Sequence, residues 1–392
     1  MECLDLKGLT CLVTGGAGMI GSHIVKLLLV EHGCKVRVVD DLKVSTHPSG
    51  EKPDWVPEDV EFIKGSAADR DLMERALKGV DVVFHQAAAG YEGALPKCLE
   101  KCFTDATMST CVLFDVIKDL KLPVKKVVTA SSMAVYGEAS YRRKDGSEYV
   151  PDGYRPTTRL DAGLFEVVDE TGNECTSYPI QETRALLPPH PYHLAKFCQE
   201  KITLAAGKEQ NISVTALRYS IVHGPHQSVH NPYTGVLSIF CTRIMNGRNP
   251  VVFEDGRQTR DFLFAEDVAR ANIFVAQDSR TNGEVYNVGT GRGGDSMHKV
   301  ASILCGLLAD GKDIKPEYHG DYRSSDTRHI QLDASKLMAL GWKPRVTLEE
   351  GLKRHVAWAR ETLKSSGGVK DKFEEAYKEM IAAGIVKRQR LS

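Results

Sequence analysis

Two short clusters of residues carry the chemistry open to this chain. Near its start, Thr14-Gly15-Gly16-Ala17-Gly18-Met19-Ile20-Gly21 spaces three glycines as GxxGxxG. An apolar run, Leu9 to Val13, precedes it, and a helical pattern, His23 to Leu29, follows. Glycines at such a turn let the backbone approach a phosphate, and the helix N-terminus faces the anion. Asp40 ends the β-branched run Lys35 to Asp40, 19 residues past Gly21. A carboxylate there accepts from ribose hydroxyls and repels a 2′-phosphate, so the pattern reads as a dinucleotide site favouring NAD over NADP. The plain alternative for Asp40 is a turn acid at a strand end. In mid-chain, Tyr192-His193-Leu194-Ala195-Lys196 sets a phenol and an ammonium at i and i+4, on one helical face. The ammonium favours the phenolate and is expected to lower its pKa toward neutrality. A phenol activated beside a bound nicotinamide is the minimum equipment for oxidising an alcohol. Tyr192 could instead be a surface helix residue. Ser131-Ser132, closing an apolar strand, favours the catalytic reading because a serine completes such a site.

The elements that must position these groups alternate strand and helix. Strands are expected at Val60 to Ile63, Asp81 to His85, Lys126 to Ala130 and Val214 to Ile221. Helices are expected at Asp71 to Leu77, Thr107 to Lys118 and Leu194 to Ala206. Near-continuous apolar strands between amphipathic helices imply an α/β fold, a Rossmann-type doubly wound parallel sheet covered on both faces. Active groups then belong at the carboxyl ends of the strands. The stretch 138–190 is rich in Pro, Gly, Thr and charge, and reads as an insert with some structure of its own. We therefore expect an NAD-binding domain over 1–222 and a smaller C-terminal α/β substrate lobe over 223–364. The segment 259–277 should pack back on the first domain, and 365–392 should be a polar, solvated helical tail.

With a net charge of −1 over 392 residues, nothing argues for nucleic acid or a membrane surface as partner. No apolar run approaches the ~20 residues of a membrane span. The acidic start Met1-Glu2-Cys3-Leu4-Asp5 lacks the basic opening of a signal peptide. Ten cysteines without a CxxC pair read as reduced thiols in a cytoplasmic compartment. No His/Cys/Asp cluster offers a metal site.

From Leu9 to Ala359 the chain resembles the extended short-chain dehydrogenase/reductase family, in its nucleotide-sugar epimerase and dehydratase branch. The resemblance rests on TGGAGMIG at 14–21, VVDDL at 38–42, HQAA at 85–88, SSMAVYG at 131–137 and YHLAK at 192–196. It continues through LRYSIVHGP at 217–225, EDGRQTRDF at 254–262, YNVGTG at 286–291 and RSSD at 323–326. It implies NAD held by Gly15, Gly18, Met19, Ile20, Gly21, Asp40, Asp41, Ser66, Ala67, Gln86, Ala87, Ala88, Tyr192 and Lys196. His85 would line the same cleft, with strand-end packing as its alternative. Ser132, Tyr192 and Lys196 would be catalytic. A nucleotide-diphosphate sugar would be met by Ser132, Met133, Asn231, Phe253, Arg260 and Arg323, the two arginines pairing with the diphosphate. The resemblance further implies a homodimer. Asn231 to Gly235 and the long insert most resemble dTDP-L-rhamnose 4-epimerase-like proteins, with UDP-glucose 4-epimerase-like proteins close by.

The departures from that pattern bear on substrate. Met133-Ala134 stands where sugar 4,6-dehydratases carry Asp-Glu, so elimination of water lacks its acid and base. Ser220 and Ile221 replace the Phe-Asn of the usual RYFN, His226 stands where arginine is common, and Ser66 replaces an aspartate near the adenine. The expected activity is an NAD-dependent nucleotide-sugar epimerase acting at C4 through a transient 4-keto sugar. One rival is a net nucleotide-sugar oxidoreductase, 4-ketoreductase or decarboxylase. The other, of a different class, is a catalytically idle NAD-binding scaffold or sensor, against which the complete Ser132/Tyr192/Lys196 set counts.

Overall fold

A computed structural model of the chain describes residues 3–88, 99–232, 235–365 and 371–388. At its centre lie seven strands: β1 (Thr10–Thr14), β2 (Lys35–Asp40), β3 (Glu61–Lys64), β4 (Val82–His85), β5 (Lys126–Ser132), β6 (Ser213–Tyr219) and β7 (Glu284–Val288). They form one sheet in the order β7-β6-β5-β4-β1-β2-β3. Every pairing in it is parallel. The strand order reverses between β1 and β4, which opens a crevice beyond their carboxyl ends.

Side chains alternate across a strand, and both sets here are apolar. Val13, Val38, Phe84 and Val128 face one layer, with Ile24, Val25 and Leu28 of α1 (Met19–Val30). Leu12, Val39, Val83 and Val127 face the other, with Leu72 and Met73 of α2 (Arg70–Ala76) and Leu113, Phe114 and Ile117 of α3 (Ser109–Asp119). That is why the strands read as continuous apolar runs rather than alternating ones. Burying each large aliphatic side chain contributes about 1.5–3 kcal/mol, and truncating the fully buried Phe84 to alanine should cost about 3–5 kcal/mol. The long helix α4 (Pro191–Gln210) starts at a proline, whose missing N–H costs nothing at the first helical position, and ends at Asn211 in the left-handed region.

The second lobe gathers α5 (Val236–Met245), α7 (Met297–Leu308) and α8 (Leu348–Ser365) around Leu237, Phe240, Leu304 and Leu352. Between α5 and α7 the chain returns to the first layer system. Phe262–Phe264 pairs with Ile221–His223, and α6 (Ala265–Gln277) packs its Val268 and Ile273 in the same core as α1. The sheet then takes its seventh strand from beyond residue 222. The insert holds a small antiparallel sheet of Ser140–Arg142, Glu148–Tyr149 and Thr176–Tyr178. A buried ion pair, Arg155–Glu254 at 2.6 Å, ties it to the second lobe.

The tail differs from its expectation as a solvated segment. Its helix α9 (Phe373–Ala382) is charged on one side, yet Phe373, Tyr377 and Met380 are buried against Val251, Ile239 and Phe253. Apolar residues at i, i+4 and i+7 form a stripe that charge counting hides.

Candidate active site

The glycine turn holds its shape for stated reasons. Gly15 has φ +68°, where side chains are strained, and its N–H donates to the Val39 carbonyl at 2.7 Å. A Cβ on Gly21 would sit 2.1 Å from the Gly15 carbonyl oxygen, so only glycine lets α1 start this close to the turn. No acid lies in the first turn of α1, which leaves its amide end positive. Asp40 has a second task the spacing did not show. Its carboxylate accepts from the Ala17 N–H at 2.9 Å and from the Leu42 N–H at 3.0 Å, bracing the turn from the end of β2. Trp55 donates its indole N–H to the Ala17 carbonyl at 2.9 Å and braces the same turn from outside.

One cleft of about 340 Å³ opens at the carboxyl edge of the sheet. Gly15, Gly18, Met19, Ile20, Gly21, Asp40, Asp41, Ser66, Ala67, Gln86, Ala87 and Ala88 all line it, and Ser132, Tyr192 and Lys196 line its far end. These residues fit a dinucleotide: a turn in which Gly15 and Gly21 leave no room for a Cβ, a positive helix end, an acid beside the ribose position, and a phenol where a nicotinamide would finish.

His85 does not join them. It is fully buried between the hydroxyls of Thr14 (2.8 Å) and Thr110 (3.1 Å), and burial pulls its pKa down to about 3. It is a packing residue beneath the cleft, so the expectation for it is corrected. Spacing alone missed Lys43, His47, Asp105 and Tyr219, which also line the cleft. Lys43 pairs with Asp105 at 2.5 Å. Asp105 sits in a wide, π-type helical turn, Phe103–Met108, which no sequence pattern marked. The Tyr219 hydroxyl donates to Gln86 at 2.9 Å and accepts from Asn272 of α6 at 2.8 Å.

Tyr192 is placed by the start of α4, one residue after Pro191, and Ser132 by the end of β5. Burial pushes the Tyr192 phenol up to about 12, while a hydrogen bond with the Ser132 hydroxyl pulls the other way. Lys196 is buried, and its ammonium donates to the Ala130 carbonyl and to Gln199 Oε1, each at 2.5 Å. Burial lowers it to about 7, against the nearby charge of Glu200. The expected drop in the Tyr192 pKa is therefore not met in this structure. Desolvation outweighs the neighbour, because Lys196 is turned to Ala130 and Gln199. Glu200 is itself held by Arg218 at 2.7 Å and by the Ser131 hydroxyl at 2.7 Å, which locks β5, β6 and α4 together below the phenol.

The residues expected to meet a sugar nucleotide lie outside this cleft, apart from Ser132. Met133 begins the short helical turn after Ser132 and packs with the insert. Arg260 donates to the carbonyls of Thr259 (2.9 Å) and Arg328 (3.1 Å), and faces the charges of Asp326, Glu254 and Glu138. Arg323 lies over the Phe253 ring at 5.1 Å, and Asn231 borders a narrow space beside Phe373. The structure brings Phe253 and Arg323 together and sets Asn231 near the same tail helix. Of the departures, Ser220 donates its hydroxyl to the Asp261 carbonyl, and His226 stacks on Trp55 with centroids 4.7 Å apart. Among the described residues no group of three or more His, Cys, Asp or Glu could hold a metal ion. No described helix is long and apolar enough to cross a membrane.

Fold and cleft together define a dinucleotide-dependent enzyme of the doubly wound class. The chain belongs to the NAD dependent epimerase/dehydratase family, whose profile matches residues 11–159 and 169–289. It is 31% identical over 355 residues to a Methanocaldococcus jannaschii protein provisionally named UDP-glucose 4-epimerase, covering 89% of this chain and 98% of the relative. It is 28% identical over 365 residues to dTDP-L-rhamnose 4-epimerase of Burkholderia thailandensis, covering 91% and 97%. Among solved structures, UDP-glucose 4-epimerase of Thermotoga maritima with UDP-glucose superimposes with a TM-score of 0.70 at 30% identity, covering 91% of this chain and all of that one. NAD is the cofactor of this family.

Proposed function

We propose that the protein is an NAD-dependent nucleotide-sugar epimerase inverting C4 of its substrate. The observation that carries the reading is the meeting of Ser132, Tyr192 and Lys196 at one end of the dinucleotide cleft, with Met133-Ala134 in place of an acid pair. Bound NAD supplies reversible hydride acceptance, which makes a sugar carbon planar and open to return from either face. Tyr192 takes the proton from the sugar hydroxyl and later gives it back. Ser132 hydrogen-bonds the reacting oxygen as well as the phenol, and so sets the distance between them. Lys196 lies one helical turn from Tyr192, and turning its ammonium from Ala130 and Gln199 toward the phenol would favour the phenolate that takes this proton. Arg260 and Arg323 hold the diphosphate while the sugar turns.

Relatives named as 4-epimerases over nearly their whole length support this assignment. The nine described cysteines form no disulfide with one another, which supports a cytoplasmic setting. A homodimer is the expected assembly, to be measured by sedimentation. The test of the reaction is isotopic. Substrate deuterated at C4 should yield epimer with deuterium still at C4 in ordinary water, with only catalytic NAD required. Label in free NADH would make it a net dehydrogenase, and label in water a proton-abstraction epimerase.

A further inference from the structure

The C-terminal helix lies where the proposed function needs open space. Phe373, Tyr377, Met380 and Val386 are buried in one cluster with Val251, and Ile239 and Phe253 pack against it. Phe373 and Tyr377 stack at 5.3 Å, and Phe253 meets the Tyr377 ring at 6.2 Å. Beyond the helix the chain pairs antiparallel with the lobe. Tyr322 donates to the Lys387 carbonyl at 3.0 Å, and Lys387 donates back at 2.9 Å. Arg243 fastens the near end, pairing with Glu374 at 2.8 Å and lying over the Phe373 ring at 4.5 Å.

This docking consumes the groups assigned to the nucleotide end of the substrate. Phe253 is covered by Tyr377. The space bordered by Asn231 and Phe373 is about 10 Å³, room for one water at most. Arg323 is covered, and among the described residues no ion pair neutralises it. One of its nitrogens donates to the Met380 sulfur at 3.2 Å, a weak acceptor, and its buried Nε has no hydrogen-bond partner among the described residues. Two acids at the start of the tail pair with other arginines: Glu374 with Arg243, and Asp371 with Arg243 and Arg248. An arginine left with a thioether and a ring face is a group from which a phosphate can win. The family profile matches residues up to 289, ahead of this helix.

We propose that the C-terminal helix is an autoinhibitory plug over the nucleotide-diphosphate end of the substrate site, displaced when a nucleoside diphosphate takes Arg323. The proposal rests on the substrate reading above, which places the diphosphate at Arg323. Because the plug is part of the chain, it competes at a high and constant effective concentration. A site open in about one molecule in ten binds about tenfold more weakly than the same site unplugged.

The test uses the full-length protein loaded with NAD, with UDP and dTDP as probes. Amide exchange across Phe373–Ala382 should speed up when either diphosphate is added, and stay unchanged with inorganic phosphate at the same concentration. In the double variant F373A/Y377A the helix loses its buried rings. That variant should bind the diphosphate about tenfold more tightly and show a lower KM for the sugar nucleotide at unchanged kcat. Slower exchange on adding UDP or dTDP, or weaker binding by the variant, would make the helix a wall of the site and overturn the plug. Diphosphate binding equal in both proteins, with exchange unmoved, would sink the plug and leave the epimerase reading standing. Failure of both proteins to bind either diphosphate would take down the substrate reading, and the plug with it.

Discussion

The cofactor cleft and the surface around Arg323 are built from equally ordinary elements, but they differ in what faces them. At the phosphate end of the cleft the demanding features are short-range: a glycine turn, a helix start, an acid at a strand end. They are held by bonds within about 25 residues of chain, such as Ala17 N–H to the Asp40 carboxylate, and the space they enclose is open. Around Arg323 the partners come from afar. Met380 lies 57 residues on, and the Arg155–Glu254–Arg328 cluster joins the insert to the lobe across 99 and 74 residues. The first region is pre-formed for its ligand, and the second is covered by the protein itself.

The largest effect should come from the chemical end. Tyr192→Phe deletes one hydroxyl and is expected to cost about 10²–10⁴-fold in turnover, with NAD affinity unchanged in a binding titration. Turnover within twofold of the parent would remove Tyr192 as the proton carrier.

Acid asks whether the two regions unfold as one body. His85 beneath the cleft is held near 3, and His223 and His355 beneath the second lobe near 3 and 4, all by burial. Their folded pKa values lie below the unfolded value of about 6.5, so the unfolded chain binds the extra protons. Stability is whole above about pH 6.5 and drains as pH falls toward 4, by about 1.4 kcal/mol per pH unit for each histidine. Urea midpoints at pH 7, 6 and 5 should fall steeply and together for probes in both regions. Separate transitions would show two bodies.

Arg260→Ala should raise KM for a sugar nucleotide about 10–100-fold, from the loss of a charge-assisted phosphate bond worth roughly 1.5–3 kcal/mol. NAD binding should hold, because Arg260 does not line the cleft. Equal loss of both ligands would merge the two regions. Asp40→Ala is expected to have the smallest effect, about tenfold in NAD affinity, together with a weaker bias against NADP. It should also loosen the glycine turn, since the Ala17 and Leu42 amides lose their acceptor. A cofactor titration with both dinucleotides would read the two effects, and an unchanged preference would move the selectivity to another residue.

Much of the cofactor site was legible because its determinants are local. Three spaced glycines, one acid and one Tyr-x-x-x-Lys sit at fixed offsets from strand and helix boundaries, and the parallel sheet carries those offsets to one edge. His85 misled because an apolar strand end shows a side chain's position and not its depth. Lys43 and Asp105 stayed hidden because they meet only when a π-type turn faces the loop after β2.

The sequence by itself determined the doubly wound class, the dinucleotide turn and the phenol–ammonium pair, since period, spacing and residue type are local quantities. Only the tertiary structure decided how buried Tyr192 and Lys196 are, and therefore that the phenol stands near 12 and the ammonium near 7. It alone laid Phe373, Tyr377 and Met380 over Phe253 and Arg323. Desolvation and long-range docking depend on what the rest of the chain brings alongside a residue, and no stretch of sequence carries that information within itself.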